Sequence, residues 1–159
     1  MDFEQAVTII IDLEGGATVT EDPRDPGGLT KYGISLNAHP ELGREGLLNL
    51  TLEQAKAVYK RAYWTPTRCD DLPKQLRLCV FDSAVNQGVK AAIETLQRTL
   101  KVTPDGQLGP VTLRAAQNSP ADGASYFLTE RAFSYQRLPT FKTYGRGWIR
   151  RLFVVSQLG

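Results

Sequence analysis

Glu14-Gly15-Gly16, followed after five intervening residues by Asp22-Pro23-Arg24-Asp25-Pro26-Gly27-Gly28-Leu29-Thr30-Lys31-Tyr32-Gly33-Ile34-Ser35, is the stretch on which the reading of this chain turns. Upstream of it, Phe3, Ala6, Val7, Ile10, Ile11 and Glu14 recur at helical spacing. Residues 3–14 therefore read as an amphipathic helix that stops at the glycine pair. Downstream, residues 17–35 mix Thr, Val, Asp, Pro, Gly and Tyr around Pro26-Gly27-Gly28, which suits a small hairpin region and not another helix.

The rest of the chain is helical in pattern. Thr51-Leu-Glu-Gln54 is a capping box opening a helix that runs to about Tyr63 and ends at Trp64-Thr-Pro66. Leu76, Leu78, Cys79, Val80, Phe81, Ala84 and Val85 are more apolar than a surface helix needs, which predicts a buried central helix ending at Asn86-Gln87-Gly88. Further helices are expected over residues 89–100, 110–118, 120–138 and 140–157, with Pro110 after Gly109 as a start signal. The fold class is mainly α, an α+β body with one small β-hairpin region near residues 17–35. A single domain is expected over residues 1–159, with the catalytic element in 1–78 and a helical subdomain in 79–157; 159 residues suffice for one substantial core.

No run of apolar residues reaches membrane-spanning length, and Met1-Asp2-Phe3-Glu4 lacks the flank of a signal peptide. Cys69 and Cys79 match no zinc or redox spacing; a disulfide between them is geometrically open, and two unpaired thiols are the expectation. The single histidine, His39, leaves few ligands for metal catalysis and is expected on a surface loop, so neither metal nor cofactor is anticipated. Residues 1–80 hold 9 Lys/Arg against 12 Asp/Glu, and residues 81–159 hold 10 against 5. From Arg131 onward there is no acid, whereas Arg131, Arg137, Lys142, Arg146, Arg150 and Arg151 are basic. Solvated helix faces account for most of these; attraction to an anionic polymer or membrane surface is the sharper reading. Nucleic acid is not the expected partner, because the first half is acidic and no binding motif is present.

A carboxyl on the core-facing stripe of a helix is partly desolvated, which favours its neutral, proton-donating form. Glu14 is the residue that combines such a stripe with adjacent glycines, and glycines let a polymer approach without side-chain obstruction. Glycosidic hydrolysis needs that donor and a second acid. Asp22 and Asp25 are both available; Asp25 adjoins Gly27-Gly28, although each precedes a proline and turn formation is the competing reading. Thr30 is placed to hold a water through its hydroxyl. Tyr32, two residues along an extended segment, would share its face and line a sugar subsite.

These residues resemble a known family. Glu14-Gly15-Gly16 with Asp25-Pro-Gly-Gly-Leu-Thr-Lys-Tyr-Gly-Ile-Ser35 is similar to the signature of glycoside hydrolase family 108, phage-associated N-acetylmuramidases of lysozyme-like fold. Phe81-Asp-Ser-Ala-Val-Asn86-Gln-Gly88, Leu96-Gln97, Asp105-Gly-Gln-Leu-Gly-Pro-Val-Thr112 and Gly145-Arg-Gly-Trp-Ile-Arg-Arg151 resemble the peptidoglycan-binding segment that accompanies it. The resemblance implies an endolysin or prophage lysis enzyme cleaving the β-1,4 bond between N-acetylmuramic acid and N-acetylglucosamine. Glu14 would be its general acid and the glycan strands of peptidoglycan its partner. It also implies synthesis in the host cytoplasm, action in the periplasm or cell wall, release through a membrane-pore (holin) partner, and a monomeric enzyme. In the related phage-type lysozymes a Glu, an Asp and a Thr form the catalytic set; the spacing here does not superimpose on theirs without a gap, so Asp22 and Asp25 stay open.

Asp82 and Asn86 lie four residues apart, on one face of the central helix. They are read equally as contacts to an acetamido group or peptide stem, as groups orienting Glu14, or as an internal polar pair. Trp64 and Trp148 are core candidates. A lytic transglycosylase on the same fold and a non-catalytic wall-binding module are the alternatives to a hydrolase.

Overall fold

A computed structural model describes residues 1–21 and 28–159. The chain divides into two compact units, residues 4–61 and residues 1–3 with 62–159.

The smaller unit opens with α1 (Phe3–Leu13), whose Ala6, Val7, Ile10 and Ile11 are buried as the helical spacing requires. A three-stranded antiparallel sheet follows in the order β1 (Thr20–Glu21), β2 (Leu29–Lys31) and β3 (Ile34–Ser35). Leu29 and Ile34 are buried, and the pairing sets Thr20 beside Thr30 and Thr30 beside Ser35. Directly paired residues share a sheet face, so three hydroxyl side chains lie in a row on the face opposite the buried pair.

Pro40–Leu42 form a turn of 3₁₀ helix leading into α2 (Gly43–Leu48), which packs on β2. This helix is absent from the sequence reading. It is six residues long, contains Gly43 and Gly46, and buries only Leu47, too little periodicity to register. Arg44 pairs with Glu21 on β1 and Lys31 donates to Leu48 O at 2.7 Å, tying both ends of α2 to the sheet. His39 corrects its expected surface position: only 8% is exposed, and its Nδ1 lies 3.2 Å from Glu41. A 3₁₀ turn follows it directly, with Leu42 N donating to His39 O at 3.1 Å, which the loop-like sequence conceals.

The capping box is present at α3 (Leu52–Tyr59). Gln54 N donates to Thr51 Oγ1 at 3.2 Å and Thr51 N to Gln54 Oε1 at 2.9 Å, satisfying two amides that the first turn leaves open. The helix continues into a π turn over Lys60–Trp64. Thr67 closes it by donating to Tyr63 O.

The larger unit is built on α4 (Lys74–Gln87), with residues 76, 78–84 buried around its circumference, as the unbroken apolar run predicts. It packs against α5 (Val89–Thr99), α7 (Gly123–Gln136) and α8 (Phe141–Leu158), with α6 (Pro110–Gln117) between α5 and α7 in sequence. Trp64 is wholly buried and meets Phe81 edge-on at 5.2 Å and Phe3 at 5.4 Å, an aromatic cluster whose truncation at any ring would cost about 3–5 kcal/mol. α7 starts three residues later than Pro120, because Pro120–Asp122 form a turn closed by Gly123 N to Pro120 O at 2.9 Å. Gln97, 1% exposed, pins the α5–α6 connection: Nε2 donates to Asp105 Oδ1 at 2.6 Å and Oε1 accepts from Gly106 N at 2.9 Å. Both cysteines are free thiols, and burial pushes each up to about 12.

Candidate active site

Glu14 directly follows Leu13, the last residue of α1. Gly16 N donates to Ile11 O at 2.9 Å and Gly15 N to Asp12 O at 3.2 Å, with φ of +64° and +95°. This paired closure terminates a helix through left-handed residues, a conformation glycine adopts without a Cβ penalty. The glutamate side chain thus departs from a fixed point of the backbone and is half-buried.

A second element fixes its stem. The β2–β3 reversal has Tyr32 and Gly33 as its two loop residues, at φ +53° and +73°, the sign pattern of a type I′ turn. A Cβ built on Gly33 would fall 2.5 Å from Glu14 Cβ, 2.8 Å from Glu14 Cγ and 2.5 Å from the Tyr59 hydroxyl. Tyr59, 1% exposed on α3, donates that hydroxyl to Tyr32 O at 2.8 Å. The end of α1, the hairpin turn and α3 therefore converge on one carboxyl-bearing side chain, all within residues 4–61.

Thr30 is on the central strand, half-buried, with its hydroxyl 3.5 Å from Gly28 O, the outer limit of a hydrogen bond. Tyr32 corrects its expected place in an extended segment: strand β2 ends at Lys31, and the reversal takes Tyr32 off the alternation it would need to share a face with Thr30. Asp22 and Asp25 lie outside the described residues. Gly33 and Tyr59 are the site-forming residues that the sequence reading missed. A Tyr-Gly pair between two short apolar strands signals a two-residue hairpin loop; nothing in the α3 pattern signals the Tyr59 hydroxyl.

Asp82 and Asn86 share a face of α4, as their spacing predicts, in the larger unit. Asp82 is 0% exposed, and its carboxylate is held by Arg131 on one oxygen and by Arg151 Nε at 2.9 Å on the other. Among the readings open to Asp82, a substrate contact is excluded by this enclosure, and the internal polar partner is what the structure has. Arg131, also fully buried, donates further to Gln87 Oε1 at 2.9 Å and Asn86 Oδ1 at 3.3 Å. Tyr135 adds its hydroxyl to Asn86 Oδ1 at 2.6 Å, and burial pushes its phenol up. Asn86 itself is exposed. Trp148 is half-buried and stacks on Tyr135 with centroids 4.9 Å apart.

The result is a half-buried carboxyl at the end of α1 whose stem packs on the Gly33 backbone. The family model for glycosyl hydrolase 108 matches residues 7–88, just over half of the chain and the whole of the segment that carries Glu14, Gly33 and Tyr59. The solved structure of Brucella abortus SagA matches with a TM-score of 0.86 at 30% sequence identity, covering 98% of this chain and 91% of that one. None of the curated proteins matches.

The chain belongs to glycosyl hydrolase family 108. Its fold is the lysozyme-like α+β arrangement, and it is a glycoside hydrolase of a peptidoglycan-acting family. No helix among the described residues is long and apolar enough to cross a membrane.

Proposed function

We propose that the chain hydrolyses the β-1,4 bond between N-acetylmuramic acid and N-acetylglucosamine, as an endolysin-type muramidase that lyses the bacterial wall. The observation that carries the reading is the clamped position of Glu14, its Cβ and Cγ packed on the Gly33 backbone at the end of α1. Glu14 protonates the bridging oxygen as the bond to the muramic acid anomeric carbon breaks. A loop aspartate, Asp22 or Asp25, activates a water that attacks that carbon, and Thr30 holds the water through its hydroxyl. Tyr32, half-exposed on the turn, and Asn86, exposed on α4, are assigned to the sugar or its peptide stem. The helical segment 79–157 holds the polymer, and a membrane-pore partner gives the monomeric enzyme access to the wall.

Mass spectrometry of fragments from purified peptidoglycan tests this. Hydrolysis yields disaccharide fragments ending in reducing N-acetylmuramic acid, which borohydride converts to the alditol. Fragments lighter by the mass of a water, with no reducing end, would mean an anhydro product and a lytic transglycosylase. Binding without fragments would mean a wall-binding module.

A further inference from the structure

We propose that the outer face of α7 and α8 docks on an anionic phospholipid surface. Lys142, Arg146 and Arg150 recur every four residues along α8, and all three are exposed. At helical spacing Ile149 and Phe153 fall on the same side, within an arc of about 100°. Phe153 is 66% exposed, a large apolar ring presented to water among cations. Beside it, Leu128 and Ala132 of α7 and Ile149, Leu152 and Phe153 of α8 line an open groove of about 250 Å³.

The charge of this face is one-signed. Glu130 is the last acid in the chain. Of the six basic residues that follow, Arg131 and Arg151 are engaged by Asp82. Arg137, Lys142, Arg146 and Arg150 have no carboxylate partner among the described residues. A second copy of the chain is a poor occupant, since pairing this face with itself opposes like charges. An anionic wall polymer would satisfy the cations but has no apolar layer for Phe153 and the groove beside it to enter. A lipid surface satisfies both: headgroup phosphates meet the guanidinium and ammonium groups, while the Phe153 ring enters the interfacial layer. No described helix has the length and apolarity to span, so the protein lies on the bilayer. This surface is independent of the hydrolytic reading.

Co-sedimentation of the full chain with phosphatidylglycerol vesicles and with phosphatidylcholine vesicles tests the proposal. Binding is expected to the first only, and to weaken as salt rises. Each surface cation contributes about fivefold, so the combined Lys142→Glu, Arg146→Glu and Arg150→Glu variant should lose at least about a hundredfold in partitioning. Phe153→Ser should lose about tenfold, and the emission of Phe153→Trp should shift to the blue on phosphatidylglycerol vesicles. These variants should melt like the wild type, so that a loss of partitioning reports lost docking and not an unfolded chain. Absence of binding to phosphatidylglycerol, equal binding to phosphatidylcholine, or unchanged affinity in Phe153→Ser would overturn the proposal. So would a dimer in solution that Phe153→Ser dissociates.

Discussion

Gly33 lies so close to Glu14 that the glycine's missing side chain is what makes room for the glutamate's stem: a Cβ there would sit 2.5 Å from Glu14 Cβ. Two penalties coincide at this position, the left-handed φ of +73° and the collision. At Gly15 only the first applies, because a Cβ there meets nothing within 4 Å. Gly33→Ala should therefore destabilise the fold by about 2–3 kcal/mol and depress hydrolysis strongly by displacing Glu14. Gly15→Ala should cost about 1 kcal/mol and leave more activity. Thermal melts and turnover on purified peptidoglycan, run side by side, check the order.

Tyr59→Phe isolates the hydrogen bond from the packing. It removes the donor to Tyr32 O while keeping the buried ring, so stability should fall by about 1 kcal/mol. Loss of activity beyond what partial unfolding explains would show that the turn positions the acid. Full activity in a folded Tyr59→Phe protein would show that Gly33 packing suffices.

Asp82 stands between two guanidinium groups, and removing it takes the paired carboxylate from the fully buried Arg131. Asp82→Ala should cost about 3–5 kcal/mol. Urea denaturation measures it. A change below about 1 kcal/mol would mean that Arg131 and Arg151 find other partners.

Much of the architecture was legible in the sequence because its signals are local. The Gly15-Gly16 stop, the Thr51–Gln54 capping box and the all-round apolar run of α4 each depend on a few consecutive residues, and each is present. What escaped depends on contacts distant in sequence or on short elements. The Tyr59 hydroxyl reaches a carbonyl 27 residues away, and Asp82 meets arginines 49 and 69 residues on. Tyr32 was misplaced for a different reason: a β-favouring residue next to a strand reads as strand, whereas the turn takes it with its glycine neighbour. At the candidate site the position of Glu14 at a helix end was legible, and the groups that pack on it were not.

The thiols offer a direct check on burial. Cys69 and Cys79 are buried and pushed up to about 12, so neither carries thiolate at neutral pH. A thiol reagent at pH 8 should modify neither in the native protein and both after denaturation. Rapid native labelling would contradict their enclosure.

Asp105 gives the α5–α6 connection an acid limit. Its carboxylate accepts from Gln107 N at 2.8 Å and from Gln97 Nε2 at 2.6 Å, and these bonds, the backbone one foremost, hold its pKa below the ordinary 3.8. A depressed carboxylate contributes stability that is present above the unfolded pKa and lost as pH falls through the folded one. Amide exchange at Gly106 and Gln107 should therefore quicken, relative to the α4 amides, only below roughly pH 4. Asp105→Asn should remove that acid-dependent step; the same step persisting in the variant would assign it to another group.

The central claim is that Glu14 is the proton donor, and Glu14→Gln tests it most directly. An amide of the same shape preserves the backbone closure at Gly15-Gly16 and the packing on Gly33 but cannot donate the proton. The variant should melt within a few degrees of the wild type and release reducing ends from purified peptidoglycan at least about a hundredfold more slowly. Release at the wild-type rate by the folded variant would contradict the account.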